Sequence, residues 1–304
     1  MRIWITWSLF LMLPLSLPSL AWADDPWTVE AGALLLHRSG GGSAPIIVDD
    51  LDSPVVDGED HSFDMEAGFQ IGSRLQCTPT TTLFGEYFDV DWDEALQRGA
   101  TGLWVDGSPA FSAGSSLARN LQTRAESNVQ SATIGFEKQA NDWLSYSIAY
   151  RYLSLDDSLW AEFSHGGLSD GIYRDTVDND LNGVDVGITA LLLARDRYTL
   201  KLGSGFGVYE NDVKHWAYYN GGSGLTSYRE TSDTTAWSYR LKLDGTYALT
   251  QQLSVGAGYR LLFVDDVANA IDQAPLTNFG GSRGTHDQSD VLFQGLSLFV
   301  QWVR

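Results

Sequence analysis

Leu253-Ser-Val-Gly-Ala-Gly-Tyr-Arg-Leu-Leu-Phe263 alternates along its whole length. Leu253, Val255, Ala257, Tyr259, Leu261 and Phe263 fall on one face; Ser254, Gly256, Gly258, Arg260 and Leu262 fall on the other. Period two over eleven residues is the mark of a β-strand with one apolar face. The stretch just before it repeats the pattern: Trp237, Tyr239, Leu241, Leu243 and Tyr247 oppose Ser238, Arg240, Lys242, Asp244 and Thr246. The short connection Thr250 to Gln252 joins the two runs, so they form a hairpin.

Working outward, eight more stretches read as strands: 27–37, 63–75, 81–90, 122–138, 143–154, 181–194, 198–209 and 290–303. The run at 122–138 changes phase near Ala132, which predicts a bulge there. Four connections are short: Gln76 to Thr80, Gln139 to Asp142, Arg195 to Arg197, and Thr250 to Gln252. They alternate with five long ones, at 38–62, 91–121, 155–180, 210–236 and 264–289. Tight turns alternating with long polar loops are the rhythm of an outer-membrane barrel, with the short turns toward the periplasm. Tyr and Trp near strand ends, at Trp27, Trp143, Tyr198, Tyr247 and Trp302, fit interfacial girdles. A soluble β-sandwich also alternates, but it predicts neither the loop rhythm nor the girdles. The expected fold is therefore all-β: an antiparallel up-and-down transmembrane barrel of ten strands, or twelve if a long loop hides a hairpin.

Residues 1–23 show Arg2, an apolar run from Ile3 to Leu20, then Ala21-Trp22-Ala23, the layout of a secretory signal. Pro14 and Pro18 argue against a retained helix. Cleavage is expected after Ala23, leaving one barrel domain over 24–304 in the outer membrane of a Gram-negative envelope, inserted by the barrel-assembly machinery and surrounded by lipid.

The chain has 304 residues, a net charge of −20 and 11 Trp, 13 Tyr and 13 Phe. That charge excludes nucleic acid as a partner, since phosphates are repelled. The aromatic content excludes an acidic disordered protein. The single Cys77 rules out an internal disulfide and reads as an incidental turn thiol.

Taking the less apolar face as inward gives a lumen lined by Glu30, Glu66, Glu86, Glu126, Asp185 and Asp244. The same rule gives Arg74, Arg124, Arg151, Lys201, Arg240, Lys242 and Arg260. The two sets nearly balance, so the negative charge is expected in loops. Ten strands lie near the narrow end of the barrel range, where side chains fill the interior. Gly203, Gly205, Gly207, Gly256 and Gly258 are inward too, and they leave room for a narrow water path.

Function divides accordingly. The leading expectation is a porin-like barrel with a narrow passive-diffusion channel. The alternative is a closed barrel serving as surface scaffold or adhesin. Acidic stretches at Asp49, Asp50 and Asp52, Asp89, Asp91 and Asp93, Asp156 and Asp157, Asp175, Asp178 and Asp180, and Asp265 and Asp266 could hold divalent cations. A solvated acidic surface is the plainer reading, and no metal site is assigned. Trp92, Trp104, Trp160, Trp216, Tyr218 and Tyr219 read as loop anchors. No phosphate loop is present: Gly40 to Pro45 lacks its lysine, and Gly203-Ser-Gly-Phe-Gly207 lies within a strand. No Gly-x-Ser-x-Gly elbow appears. No cofactor and no enzymatic activity are expected. One catalytic alternative remains, a rim protease of the omptin kind, with Asp89 and Asp91 facing Asp212 and His215. The spacing Asp212-Val-Lys-His215 has one residue more than the omptin pattern.

Trp27-Thr-Val-Glu-Ala-Gly-Ala-Leu-Leu-Leu-His37, the glycine-rich turn and Ala44-Pro-Ile-Ile-Val48 resemble the start of the porin-seven β-barrel family common in planctomycetes. Asp290-Val-Leu-Phe-Gln-Gly-Leu-Ser-Leu-Phe299 is similar to its last strand. The resemblance covers about a fifth of the chain and implies a porin-like barrel with no catalytic residues to carry over. Where commoner barrels end on Phe or Trp, this chain ends on Arg304, with Trp302 two positions earlier.

Overall fold

The computed structural model describes residues 27–40, 45–48, 54–57, 63–101, 104–105, 118–165, 168–221, 224–273 and 289–304. The expected signal segment and Asp49, Asp50 and Asp52 lie outside these residues. Ten strands close into a barrel, each antiparallel to its neighbours. They are β1 (Trp27–Ser39), β4 (Glu66–Thr78), β5 (Thr81–Thr101), β7 (Ala118–Gln139) and β8 (Leu144–His165). The ring continues through β9 (Leu168–Arg195), β10 (Tyr198–Gly221), β11 (Gly224–Ala248), β12 (Leu253–Val267) and β13 (Ser289–Val303), which pairs back onto β1. A second, three-stranded sheet of β2 (Pro45–Val48), β3 (Pro54–Asp57) and β6 (Trp104–Val105) is not paired with the ring, and one helical turn, α1 (Ala270–Gln273), follows β12.

The strands are much longer than the sequence reading allowed. Stretches 91–101, 118–121, 155–165, 168–180, 210–221 and 224–236, expected as loop, are strand. Nor is there a bulge at Ala132: β7 keeps continuous register with both β5 and β8. Period two persists there, but its chemical sense reverses. Near the short turns the outer face carries Ile134 and Phe136, both exposed, and the inner face carries Ser131 and Thr133. Toward the other end the inner face carries buried Leu121, Ala125 and Val129, while Arg124, Glu126 and Asn128 face out. A barrel rising out of lipid must do this, because its outer wall passes from hydrocarbon to water.

A lipid-facing band runs around the barrel. Ile71, Ile148, Val186, Ile188, Phe206, Leu296 and Leu298 are all exposed apolar residues on it. The short-turn end is ringed by Trp27 against Trp302, ring centres 5.8 Å apart, and by Tyr198 against Tyr247 at 4.9 Å. The other edge carries Phe69 with Tyr87, and Phe206, Trp237 and Phe263 in sequence. Phe263 pairs with Leu292 and Leu253 with Trp302. Ten steps of a strand tilted about 40° span roughly 25 Å, the height of an outer-membrane barrel's apolar band. The remaining strand length stands above the band on the extracellular side.

Candidate functional site

Inside the band the lumen is polar and cross-linked. Asp185, fully buried, sits at the hub: Arg151 Nε lies 3.0 Å from its Oδ2, Arg240 Nε 3.3 Å from its Oδ1, and the Tyr209 hydroxyl donates to Oδ2 at 2.9 Å. Arg151 Nε also donates to Thr133 Oγ1 at 3.0 Å. A buried carboxylate survives in such a place because opposite charges and donors replace its water. Below the hub, Lys242 reaches Asp244 at 3.1 Å and Glu86 at 3.7 Å, and Arg260 lies 3.9 Å from Glu30. Arg74 pairs with Glu137 at 2.7 Å. Glu30, Arg74, Glu86, Glu137, Lys242 and Asp244, with Lys201, line a cavity of about 210 Å³ toward the short-turn end.

Of the thirteen residues expected in the lumen, Glu30, Arg74, Glu86, Arg151, Asp185, Lys201, Arg240, Lys242, Asp244 and Arg260 point inward. Glu66 shares the inward register, opposite Leu36, but is exposed at the end of β4. Arg124 and Glu126 do not belong to the set. They lie on the outer wall, where Arg124 binds Asp93 at 2.5 Å and Glu126 at 3.1 Å. The polarity rule that chose them inverts above the membrane, so the less apolar face there is the outer one. Arg38 and Asp157 were missed because 38–62 and 155–180 were expected as loop, and Glu137 because the phase assigned to 122–138 was wrong.

The inward glycines do not open a path. A Cβ at Gly205 would meet Arg240 Nε at 2.5 Å, one at Gly207 the Tyr209 hydroxyl at 2.2 Å, and one at Gly256 the Phe299 ring at 2.3 Å. Their missing side chains are the space in which large neighbours lie across the lumen. Gly203, like Gly72 and Gly85, borders the lower cavity without such crowding.

Above the hub the interior resembles the core of a soluble domain. Leu34, Leu121, Val129, Leu153, Leu159, Val177, Leu181, Val213, Val264 and Phe293 are buried there in one contiguous cluster. Trp92, expected as a loop anchor, is buried too; it packs 5.5 Å from the Phe293 ring and donates from Nε1 to the Leu36 carbonyl at 3.1 Å. The segment from Ala268 through α1 plugs the axis. Asn179 Nδ2 donates to the Ala268 carbonyl at 2.8 Å, and Asn179 Oδ1 accepts from Ala268 N at 2.9 Å. Arg38, itself buried, bonds Asp157 at 2.6 Å and Asn269 at 3.1 Å and lies over the Phe63 ring. Burial holds the Asp157 carboxyl above its ordinary range even with Arg38 beside it. The backbone strain of the turn into the plug falls on Asp266, at φ +60°. Between plug and hub lies a pocket of about 60 Å³, room for a few waters.

The acidic stretches expected as loop ligands are spread over both wall faces. Asp175 is buried inward, accepting from the Tyr173 hydroxyl at 2.8 Å and lying 2.9 Å from His215 Nε2. Asp178 and Asp180 face out, Asp180 with Lys214 at 2.6 Å. Among the described residues no group of three His, Cys, Asp or Glu is arranged to hold a metal ion. Burial, with facing Asp178 and Asp180, pushes Asp156 up to about 6. The protease constellation is not assembled either. His215 points inward, Asp212 is exposed on the opposite face of β10, and Asp89 and Asp91 sit on the outer wall with Asn128.

Fold and lumen together define a membrane-spanning β-barrel of the outer-membrane class, with a charge-paired lower lumen and a packed extracellular half. The outer membrane protease OmpT from Escherichia coli has a similar fold: 10% identity, 92% of this chain and 97% of that one covered, TM-score 0.50. The translocator domain of the autotransporter NalP from Neisseria meningitidis also aligns, at 11% identity over 91% of this chain and 88% of that one, TM-score 0.41. No protein-family model matches the chain, and no curated protein matches it.

Proposed function

We propose that this chain is a closed barrel of the bacterial outer membrane whose working part is the wall it raises above the membrane. One observation carries the reading: the extracellular half of the lumen is filled by buried apolar side chains and sealed by the hydrogen-bonded Ala268–Gln273 plug. A diffusion pore needs a continuous wet path, and a layer of packed Leu, Val and Phe at crystal-like density offers none. The membrane half then acts as an anchor. This favours the scaffold or adhesin reading over the porin-like one that the resemblance to the porin-seven barrels implies. It also disfavours the rim-protease alternative, because the groups such a protease would use point to opposite sides of the wall.

The test is single-channel conductance of refolded residues 24–304 in a planar bilayer, with insertion verified by heat-modifiable gel mobility. A silent, inserted protein is the expected result. Discrete steps scaling with salt overturn the reading.

A further inference from the structure

On the outer wall, well above the apolar band, β8 to β11 bring Trp160, Arg174, Tyr218, Trp216 and Arg229 side by side. Trp160 pairs with Arg174, and Arg174 with Tyr218, so in register an arginine is flanked by an aromatic residue on each adjacent strand. One row nearer the membrane, Trp216 pairs with Arg229. Directly opposed side chains of this kind lie about 5 Å apart at Cβ. The Trp216 and Tyr218 ring centres are 4.9 Å apart and inclined at 40°, forming a shallow aromatic corner. Trp216, Arg174 and Arg229 are exposed.

Charge decides what such a face is for. The chain carries 39 acids and 19 Lys and Arg, so a basic side chain on its outer wall has carboxylates to choose from. Arg124 takes Asp93 and Glu126, and Lys214 takes Asp180. Arg174 and Arg229 take none: no carboxylate among the described residues lies within 4.0 Å of either. Glu162, on the same wall one step beyond Trp160, does not close on Arg174. Two guanidinium groups with no carboxylate in reach, beside one exposed ring and two half-buried ones, suit a ligand with flat apolar faces and anionic substituents. A phosphorylated sugar has both: ring C–H faces stack on Trp and Tyr, and a planar guanidinium grips phosphate with two hydrogen bonds.

Position selects the source. The face looks sideways from the wall, and Tyr218 stands ten residues beyond Val208 at the edge of the apolar band, roughly 20–25 Å up. It therefore meets the sugar layer standing on the same outer leaflet rather than a surface offered to the barrel's tip. We infer that this aromatic–arginine face binds the phosphorylated saccharide of the outer-leaflet glycolipid, clamping the extended wall within that layer. The inference rests on the closed-wall reading, but conductance tests that reading and saccharide binding tests this one, so either can fail alone.

The experiment measures binding of phosphorylated core oligosaccharide, released from lipopolysaccharide by mild acid, to the refolded chain in detergent, read by tryptophan fluorescence and calorimetry. Arg174→Gln with Arg229→Gln should weaken binding about tenfold or more and flatten its salt dependence. Trp216→Ala should weaken it about fivefold, and Trp216→Tyr should restore most of that. Lys138→Gln, at the opposite end of the barrel, should change nothing. Heat-modifiable mobility confirms that each variant is folded. The same oligosaccharide stripped of phosphate should bind at least tenfold more weakly. Unchanged affinity in the arginine double variant, equal affinity for the stripped sugar, or no saturable binding overturns the inference. Tighter binding of a soluble sulfated polysaccharide than of the core oligosaccharide overturns the assigned source.

Discussion

On β7, Ile134 and Phe136 face outward and are exposed, yet the charged pair of exposed Arg124 and half-buried Glu126 lies on the same face of the same strand. The inner face runs the other way, from Thr133 and Ser131 to Val129, Ala125 and Leu121. One continuous strand thus serves two solvents. In the lower half the surroundings are hydrocarbon, so apolar groups point out and the interior must satisfy its polar groups by pairing. In the upper half the surroundings are water, so the ordinary rule of an apolar core returns. The two halves consequently stand on different forces: ion pairs and hydrogen bonds hold the lower interior, hydrophobic burial the upper one.

That contrast can be broken by substitution, with stability read from urea-dependent folding into lipid vesicles. The largest effect is expected at the hub of the lower half. Asp185→Ala leaves Arg151 and Arg240 without their shared carboxylate inside the lumen and should cost about 3–5 kcal/mol. A near-neutral result would mean that water hydrates the lower lumen well enough to replace the hub. Next comes the upper core, where Leu159→Ala or Leu181→Ala should cost about 2–5 kcal/mol, as in a soluble domain. If these changes were silent, the packed upper half would be contributing little, and the case for a sealed lumen would weaken with it.

The outer face offers a paired test on one strand. Ile134→Lys places a charge in the band and should cost about 2–4 kcal/mol. Gln130→Lys, four residues further out on the same face, should stay within about 0.5 kcal/mol. Equal costs would move the membrane boundary from where the girdle aromatics put it.

The smallest effect concerns the acidic outer wall. Because Asp156 is pushed up to about 6, the unfolded chain releases this proton before the folded one does. Stability should therefore fall as pH rises between about 4 and 6, with the full penalty present above 6. The penalty should be under about 1 kcal/mol, since the exposed side chain is screened by water. Asp156→Asn should remove that part of the pH dependence, and a variant with the wild-type profile would show that facing Asp178 and Asp180 do not act on it.

Much of this molecule was legible from one dimension. Alternation at 253–263 and 237–247, the four short turns and the girdle residues Trp27, Trp143, Tyr198, Tyr247 and Trp302 give ten strands, their order and the membrane band. Period two is local, and a strand shows it whatever lies on either side. What it does not show is which side is which. Assigning the less apolar face to the lumen works at Glu30, Asp185 and Arg240, inside the band, and fails at Arg124 and Glu126 beyond it. Apolar residues at 153, 155, 159, 161 and 163 carried the signal of an extended strand, but scattered aspartates made the stretch read as loop.

The sequence by itself determined that this chain is a barrel of alternating strands with a polar lower interior, because both properties follow from side-chain order along single strands. Only the tertiary structure decided that the upper interior holds a packed apolar core around a hydrogen-bonded segment. That depends on Arg38, Asp157, Asn179 and Asn269, from four distant segments, meeting around one plug, and on glycines whose vacated space Arg240, Tyr209 and Phe299 fill from neighbouring positions. No pattern along the chain encodes those meetings; they exist only once the ring has closed.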